Sequence, residues 1–243
     1  MVFRLSFFGA FFVDGTLFLT QLLMFNSIYA NVDSIGDWSK GEMTIFIGTF
    51  SLINALNMVI YFFGINSLPD KIRSGSLDFY ITKPVNPLLR ITFENVNPGS
   101  IPLIIFSIVI ILYGVSISDV TISISTWILY GVHVLLMTIL FYDTELIIRT
   151  VSFFVISTVN FTRIENLIEL CMKVPGVLFK GIFKFLFYFV LPYGIMATIP
   201  TQVLMSTITL EGIAYGIIIA VGFTAFALWL WDVGLKHYKS ASS

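Results

Sequence analysis

Long apolar runs separated by short polar stretches make up this chain. A helix that crosses the hydrocarbon of a bilayer needs about 20 mostly apolar residues. Six windows meet or approach that length: residues 7–30, 43–65, 101–117, 127–157, 182–199 and 213–231. The runs are continuously apolar and show no period-two alternation, which excludes a transmembrane barrel. The pattern predicts an all-α membrane protein, one transmembrane domain over residues 1–243 with six transmembrane helices and no nucleotide-binding domain. The first run follows Met1-Val2-Phe3-Arg4-Leu5 without a small-residue cleavage site, so it reads as a retained span.

Lys and Arg set the orientation, because cytoplasmic loops hold the excess. With the N-terminus inside, the inner segments carry Arg4, then Lys71, Arg73, Lys83 and Arg90, then Arg163, Lys173, Lys180 and Lys184, then Lys236 and Lys239. That is eleven of the 13 basic residues. Lys40 lies outside and Arg149 falls within the fourth window, while the outer loops carry Asp33, Asp37, Glu42, Asp119 and Glu211. Both termini are therefore expected to be cytoplasmic. Asp143, Glu145 and Arg149 interrupt the fourth window. If they formed a loop, the next basic cluster would move outside and the asymmetry would collapse, so a single long, tilted or broken helix is expected there. Trp38, Trp127, Trp229 and Trp231 fall near span ends, where interfacial aromatic belts occur.

Composition agrees with this reading. The chain is 57% hydrophobic and 11% charged, against about 25% charged for soluble domains. There are too few charges to clothe a water-facing surface, so lipid is the expected surroundings. A net charge of −1 gives no support to a nucleic-acid partner. The single Cys171 excludes an internal disulfide and a multi-cysteine metal site. No phosphate-binding G-x-x-x-x-G-K-[ST] loop, H-E-x-x-H or G-x-S-x-G pattern occurs, and His133 and His237 stand far apart in sequence. No catalytic residue and no metal ligand set is predicted, and the chain is not expected to be an enzyme.

The first long polar segment, Ser67 to Pro87, reads as short helices lying at the membrane face. Ser67 with Asp70 has capping-box spacing, and Gly75 suits a left-handed helix end. Ser76 would cap a second short helix that Pro84 ends. Leu77, Phe79, Tyr80 and Ile81 would give that helix an apolar side for a partner.

This segment, with its Ile72-Arg73-Ser74-Gly75-Ser76-Leu77-Asp78 core and its Lys83-Pro84-Val85-Asn86-Pro87 end, resembles the permeases of the ATP-binding-cassette (ABC) type-2 exporter class. Trp231-Asp232-Val233-Gly234-Leu235-Lys236-His237-Tyr238-Lys239-Ser240-Ala241 is similar to the end of those permeases. Val174-Pro175-Gly176 followed by Phe189-Val190-Leu191-Pro192 is similar to their region around the fifth span. Family members carry a short amphipathic segment ahead of the position of Phe3-Arg4, which is absent here; a truncated start or a member without that helix is expected. The resemblance implies a pair of permeases, either two copies or this chain with a sister permease, above a pair of ABC ATPase subunits. ATP and Mg would be held by those ATPases, with no cofactor in this chain. It implies that the loop after the second span couples to the ATPase through Arg73, Gly75, Leu77, Asp78, Lys83 and Pro84. The apolar spans point to export of a hydrophobic or amphipathic cargo, such as a drug, an antimicrobial peptide or a lipid, across a bacterial plasma membrane.

Each of these residues also has a plainer reading. The Arg73–Pro84 stretch could be a solvated basic loop. Asp143, Glu145 and Arg149 are costly at bilayer depth; Glu145 and Arg149 share a helix face, so a structural pair stands beside a role in the conduit. Asp14 could face a cavity or lie at the inner interface. Asn54 and Asn57 share a face, and hydrogen bonds between helices stand beside lining of the path. His133 reads as a satisfied interior histidine. Pro192, Gly194 and Pro200 bracket a short apolar piece that could form a re-entrant hairpin, or a helix that simply ends at Pro200. An ion-coupled carrier using Asp14, Asp143 and Glu145 is the alternative function, and a structural membrane protein without transport is a third.

Overall fold

Residues 3–35, 38–118, 120–155 and 173–238 are described in the computed structural model. Of the residues weighed above, Asp37, Asp119, Arg163, Cys171, Lys239, Ser240 and Ala241 lie outside this part, as does the end of the fourth window. The described chain is helical, with no strand beyond an isolated bridge between Ile35 and Trp38.

Helix α1 (Phe3–Tyr29) has 27 residues, about 40 Å at 1.5 Å per residue. Helix α2 (Lys40–Ile60) begins at a capping box: the Ser39 hydroxyl accepts from Glu42 N at 3.3 Å, and Glu42 Oε2 accepts from Ser39 N at 2.8 Å. It stops at Tyr61, whose backbone leaves the helical region. Four short helices follow: α3 (Phe62–Asn66), α4 (Leu68–Ser74), α5 (Asp78–Ile81) and α6 (Pro87–Thr92). The second window therefore ends earlier than its hydropathy suggests, and its last residues belong to α3. Helix α7 (Ile101–Ile117) carries the third window. Helix α8 (Ile124–Thr150), capped by Ser123, carries the fourth and runs unbroken through Asp143, Glu145 and Arg149 into a 3-10 turn at Val151–Phe153.

The fifth window is not one straight helix. Helix α9 (Gly181–Phe185) runs into a π-helical turn (Leu186–Val190), breaks at Leu191–Pro192, and resumes as α10 (Tyr193–Met196) and α11 (Thr198–Leu204), with a 78° bend between the halves. Pro200 sits in the first turn of α11, where its missing N–H costs nothing, so no helix ends there. The last helix, α12 (Leu210–His237), is capped by Thr209.

Among the described residues, four helices are long and apolar enough to cross a membrane: α2, α7 with its preceding turn, α8 with its following turn, and α12. The bent pair makes a fifth if taken as one span. Helix α2 is the most enclosed of the four and α12 the least. Helices α2 and α7 run antiparallel and almost touch. A Cβ on Gly48 would lie 2.7 Å from Ile111 Cγ1, and one on Gly114 would lie 2.8 Å from the backbone of Ile45. Small residues allow such close approach of helices in lipid, where packing rather than hydrophobicity holds them together. Ser51 and Ser107 add a 2.7 Å hydrogen bond, and Thr49 and Tyr130 join α2 to α8 at 2.9 Å.

The ends of α2, α8 and α12 meet at one end of the bundle, together with α3–α6; the starts of α2 and α8 and the end of α7 lie at the other. These are called the Arg73 end and the Lys40 end. Helices α8 and α12 are thus parallel, so the residues between them must carry the chain back across the same thickness. Two cores are separate. One, built on Phe46, Phe50, Phe141 and Tyr193, fills the bundle. The other, built on Ile65, Leu68, Leu77, Leu88, Ile91, Leu146 and Trp231, lies at the Arg73 end.

Candidate coupling face and buried polar network

The α3–α6 segment folds around its own core. Helix α4 does not begin with a capping box: Ser67 has helical backbone angles, and its hydroxyl donates to Gly64 O at 2.6 Å while accepting from Lys71 Nζ at 2.8 Å. It ends at Gly75, which is left-handed (φ 75°) as its position requires. The turn is tight, with Leu77 N donating to Lys71 O and Asp78 N to Gly75 O, both at 3.2 Å. Ser76 does not cap α5; its hydroxyl bonds Ser74. Helix α5 closes at Ile81, three residues before Pro84. Asn86 caps α6, its side chain accepting from Leu88 N and Leu89 N.

The expected apolar side of α5 divides in two. Leu77 and Tyr80 turn inward, whereas Phe79 (69% exposed) and Ile81 (42%) face out. Tyr80 is a lock. Its ring lies under the Arg90 guanidinium (4.6 Å) and Lys71 Nζ (5.2 Å), and its hydroxyl donates to Glu94 Oε1 at 2.7 Å. Lys71 pairs with Glu94 at 3.2 Å, and Arg90 donates to Phe79 O at 3.3 Å. Burial raises the Tyr80 pKa above its ordinary value, and the Glu94 hydrogen bond adds to this. Of the six residues assigned to coupling, Arg73, Lys83 and Pro84 are exposed, Leu77 is in the core, Gly75 serves the turn, and Asp78 is half-buried.

The segment is fastened to two long helices. Gly64 brings α3 onto α6 so closely that a Cβ there would lie 2.1 Å from Ile91 O. Thr92 and Tyr142 share a 2.9 Å hydrogen bond to α8, the Tyr61 ring stands edge-on to Tyr142, and the Tyr61 hydroxyl donates to Thr138 O. Phe153 reaches α12: its ring packs on Trp231 (5.6 Å) and Tyr238 (6.0 Å) and leaves no room for a side chain at Gly234, where a Cβ would fall 2.5 Å away. Burial raises the Tyr238 pKa, with the neighbouring Asp78 carboxylate adding to it. The two sequence motifs, some 150 residues apart, therefore meet.

Just beyond lies a buried polar network. Asp143 and Glu145 are two residues apart, about 200° around α8 at 100° per residue, and so face different neighbours. Asp143 Oδ2 accepts from Thr224 Oγ1 of α12 at 2.5 Å, and Glu145 Oε1 accepts from Asn57 Nδ2 of α2 at 3.3 Å. Arg149 is buried one turn on. His133 is buried and bonds Leu129 O through Nδ1, while its Nε2 has no hydrogen-bond partner among the described residues, so within them the interior histidine is only half satisfied.

Asn54 points elsewhere, into a cavity of about 410 Å³ shared with Phe18, Gln21, Phe50, Met58 and Lys173. Gln21 Nε2 donates to Lys173 O at 3.1 Å, which sets Lys173 part-way along α1 rather than with the basic residues of the Arg73 end. The side chain of Asp14 lies outside the described part. Gly194 and Pro192 lie at the bend, and Gly176 is fixed against them: its N–H donates to Thr198 Oγ1 at 2.7 Å, and a Cβ there would lie 2.2 Å from Gly194 O.

The family model for ABC-2 family transporter proteins matches residues 16–242, nearly the whole chain. The chain belongs to the ABC-2 transporter family. No curated protein and no solved structure matches it. As an ABC-2 permease it is a multi-pass membrane protein, from a family of membrane components of transporters that are generally not themselves catalytic. Sequence reasoning about this permease did not single out Glu94, Tyr142, Phe153 or Thr224. Thr224 carried a signal, being a polar residue deep in an apolar helix. Phe153 carried none, because its role depends on a glycine 81 positions away.

Proposed function

We propose that this permease is the membrane-spanning subunit of an ABC exporter, with six spans including α1, both termini cytoplasmic, and α4–α6 docking on a separate ATPase that binds ATP and Mg. One observation carries the proposal: a small module with its own core holds Phe79, Ile81, Arg73 and Lys83 outward while its inner side is fastened to α8 and α12. Such a module transmits force. A push on Phe79 and Ile81 moves Leu77 and Tyr80 with them, because Tyr80 is clamped to Arg90 and Glu94. Motion of α6 reaches α8 through Thr92–Tyr142, and Phe153 passes it to α12.

The polar network then sets what the spans can do. Polar bonds between helices in lipid hold alternative packings apart, because each donor needs a partner in whichever arrangement forms. Asp143–Thr224 and Asn57–Glu145 tie α8 to both its neighbours, so a rotation of α8 would have to exchange them together. The piece around Pro192, Gly194 and Pro200 is read as the re-entrant hairpin closing the outer side, with α9 as part of the fifth span, and the cavity beside Asn54 as part of the path, formed with a second permease. Its aromatic and Met lining suits a hydrophobic or amphipathic cargo. The test is reconstitution in vesicles with the partner ATPase. Phe79→Ala with Lys83→Glu should abolish cargo-stimulated ATP hydrolysis while leaving the thermal stability of the permease unchanged. Stimulation equal to wild type overturns the coupling assignment.

A further inference from the structure

A second groove lies at the Lys40 end, away from the coupling face. It is lined along α1 from Leu19 to Tyr29, along α2 from Lys40 to Ile47 and along α7 from Phe106 to Tyr113, and encloses about 360 Å³. Its origin is steric. Glycines let α2 and α7 close on each other, whereas α1 presents bulky side chains to that pair and stands off. In each helix the lining positions recur three or four residues apart, forming one face.

The dimensions are those of one leaflet. The three stripes cover eight to eleven residues each, about 10–15 Å at the helical rise, which is roughly half of a 30 Å hydrocarbon core. Polarity is graded along them. The deep part is Leu, Ile, Val, Met and Phe; the polar groups, Asn26, Tyr29, Lys40, Thr44 and Tyr113, gather toward the mouth, with the Thr44 hydroxyl donating to Lys40 O at 2.8 Å. Leu23 (65% exposed) and Val109 (56%) leave the side open to lipid.

Charge singles out the occupant. Among the described residues that line the groove, Lys40 is the one basic residue. It is exposed and makes no ion pair among the described residues. The nearby Glu42 is occupied by the α2 cap. The Tyr29 hydroxyl donates to Trp38 O at 2.8 Å and so anchors the mouth without neutralising it.

We propose that this groove binds one phospholipid with an anionic headgroup, its acyl chain lying between α1 and the α2–α7 pair and its phosphate on Lys40. A cargo path would need to continue past mid-depth, and the groove stops there. The leaflet, outer, rests on the orientation proposed above; binding itself does not.

The test is native mass spectrometry of the purified, delipidated full chain titrated with phosphatidylglycerol and with phosphatidylcholine of the same acyl chains. The wild type should bind one phosphatidylglycerol about fivefold more tightly than phosphatidylcholine, the preference expected of one lysine at a membrane surface. Lys40→Gln should bind the two equally, Lys40→Arg should keep the preference, and Val109→Trp, which fills the groove, should weaken both. Equal binding of the two lipids by the wild type, or a preference that survives Lys40→Gln, overturns the proposal. So does unchanged lipid binding by Val109→Trp with a lowered dimer fraction, which would make the groove a seam between permeases.

Discussion

Replacing Gly64 with alanine tests whether α3 and α6 form a rigid joint. The added Cβ would lie 2.1 Å from Ile91 O, 2.8 Å from Thr92 O and 3.2 Å from Ile91 C. All three are backbone atoms, so no side chain can swing aside, and α6 must retreat by about 1 Å to restore an ordinary contact. Overpacking of this kind costs roughly 1–3 kcal/mol. The same retreat stretches the 2.9 Å Thr92–Tyr142 hydrogen bond, worth about 0.5–1.5 kcal/mol more. The sum, about 2–4 kcal/mol, is large for one methyl group. Thermal unfolding of the purified permease should show a fall of several degrees in Tm, and cargo-stimulated ATP hydrolysis should fall with it. Gly222→Ala is the control, because a Cβ there meets nothing within 4 Å among the described residues; it should be neutral or slightly stabilising. A Gly64→Ala protein with the Tm of Gly222→Ala would refute the joint, and with it the route by which motion of α6 reaches α8.

Thr224→Val removes the donor to the buried Asp143 carboxylate and should cost about 1–3 kcal/mol; a double-mutant cycle with Asp143→Asn should show that the two changes are not additive. Leu77→Ala empties a fully buried position and should destabilise by about 2–5 kcal/mol, unlike Phe79→Ala, which should leave the melting curve in place. Tyr80 and Tyr238 both have pKa values raised above 10.0 by burial. Above about pH 10 the unfolded chain therefore releases protons that the folded one keeps. Their contribution to stability is present in full below that pH and is lost as pH rises through the raised values. Tyr80→Phe and Tyr238→Phe together should flatten the alkaline fall in Tm; an unchanged alkaline limb would rule out this source.

Membrane character, the five main hydrophobic stretches and the helix end at Gly75 follow from the residues themselves. Apolar run length and backbone conformation are local properties, and each of these elements can be read within a window of about 20 residues. The three stretches that resemble the exporter permeases were also legible one by one. The errors lay where local rules compete. Ser67 has capping-box spacing, but Gly64 O and Lys71 draw its hydroxyl away. Tyr80 reads as apolar beside Phe79, yet two cations and a carboxylate enclose it. Nor does hydropathy register the 78° bend inside the fifth window, which is a broken span or a re-entrant loop.

Sequence by itself thus determined that this protein lives in lipid and which family its loops resemble. Tertiary structure alone decided which groups meet: Asp143 with Thr224 and Asn57 with Glu145 by hydrogen bonds, Phe153 with Gly234 by packing. The physical reason is range. Hydropathy and capping act between neighbours along the chain, whereas a hydrogen bond between helices depends on rotation about each axis. That rotation is fixed by how glycines and aromatic rings pack across the bundle, not by any one segment.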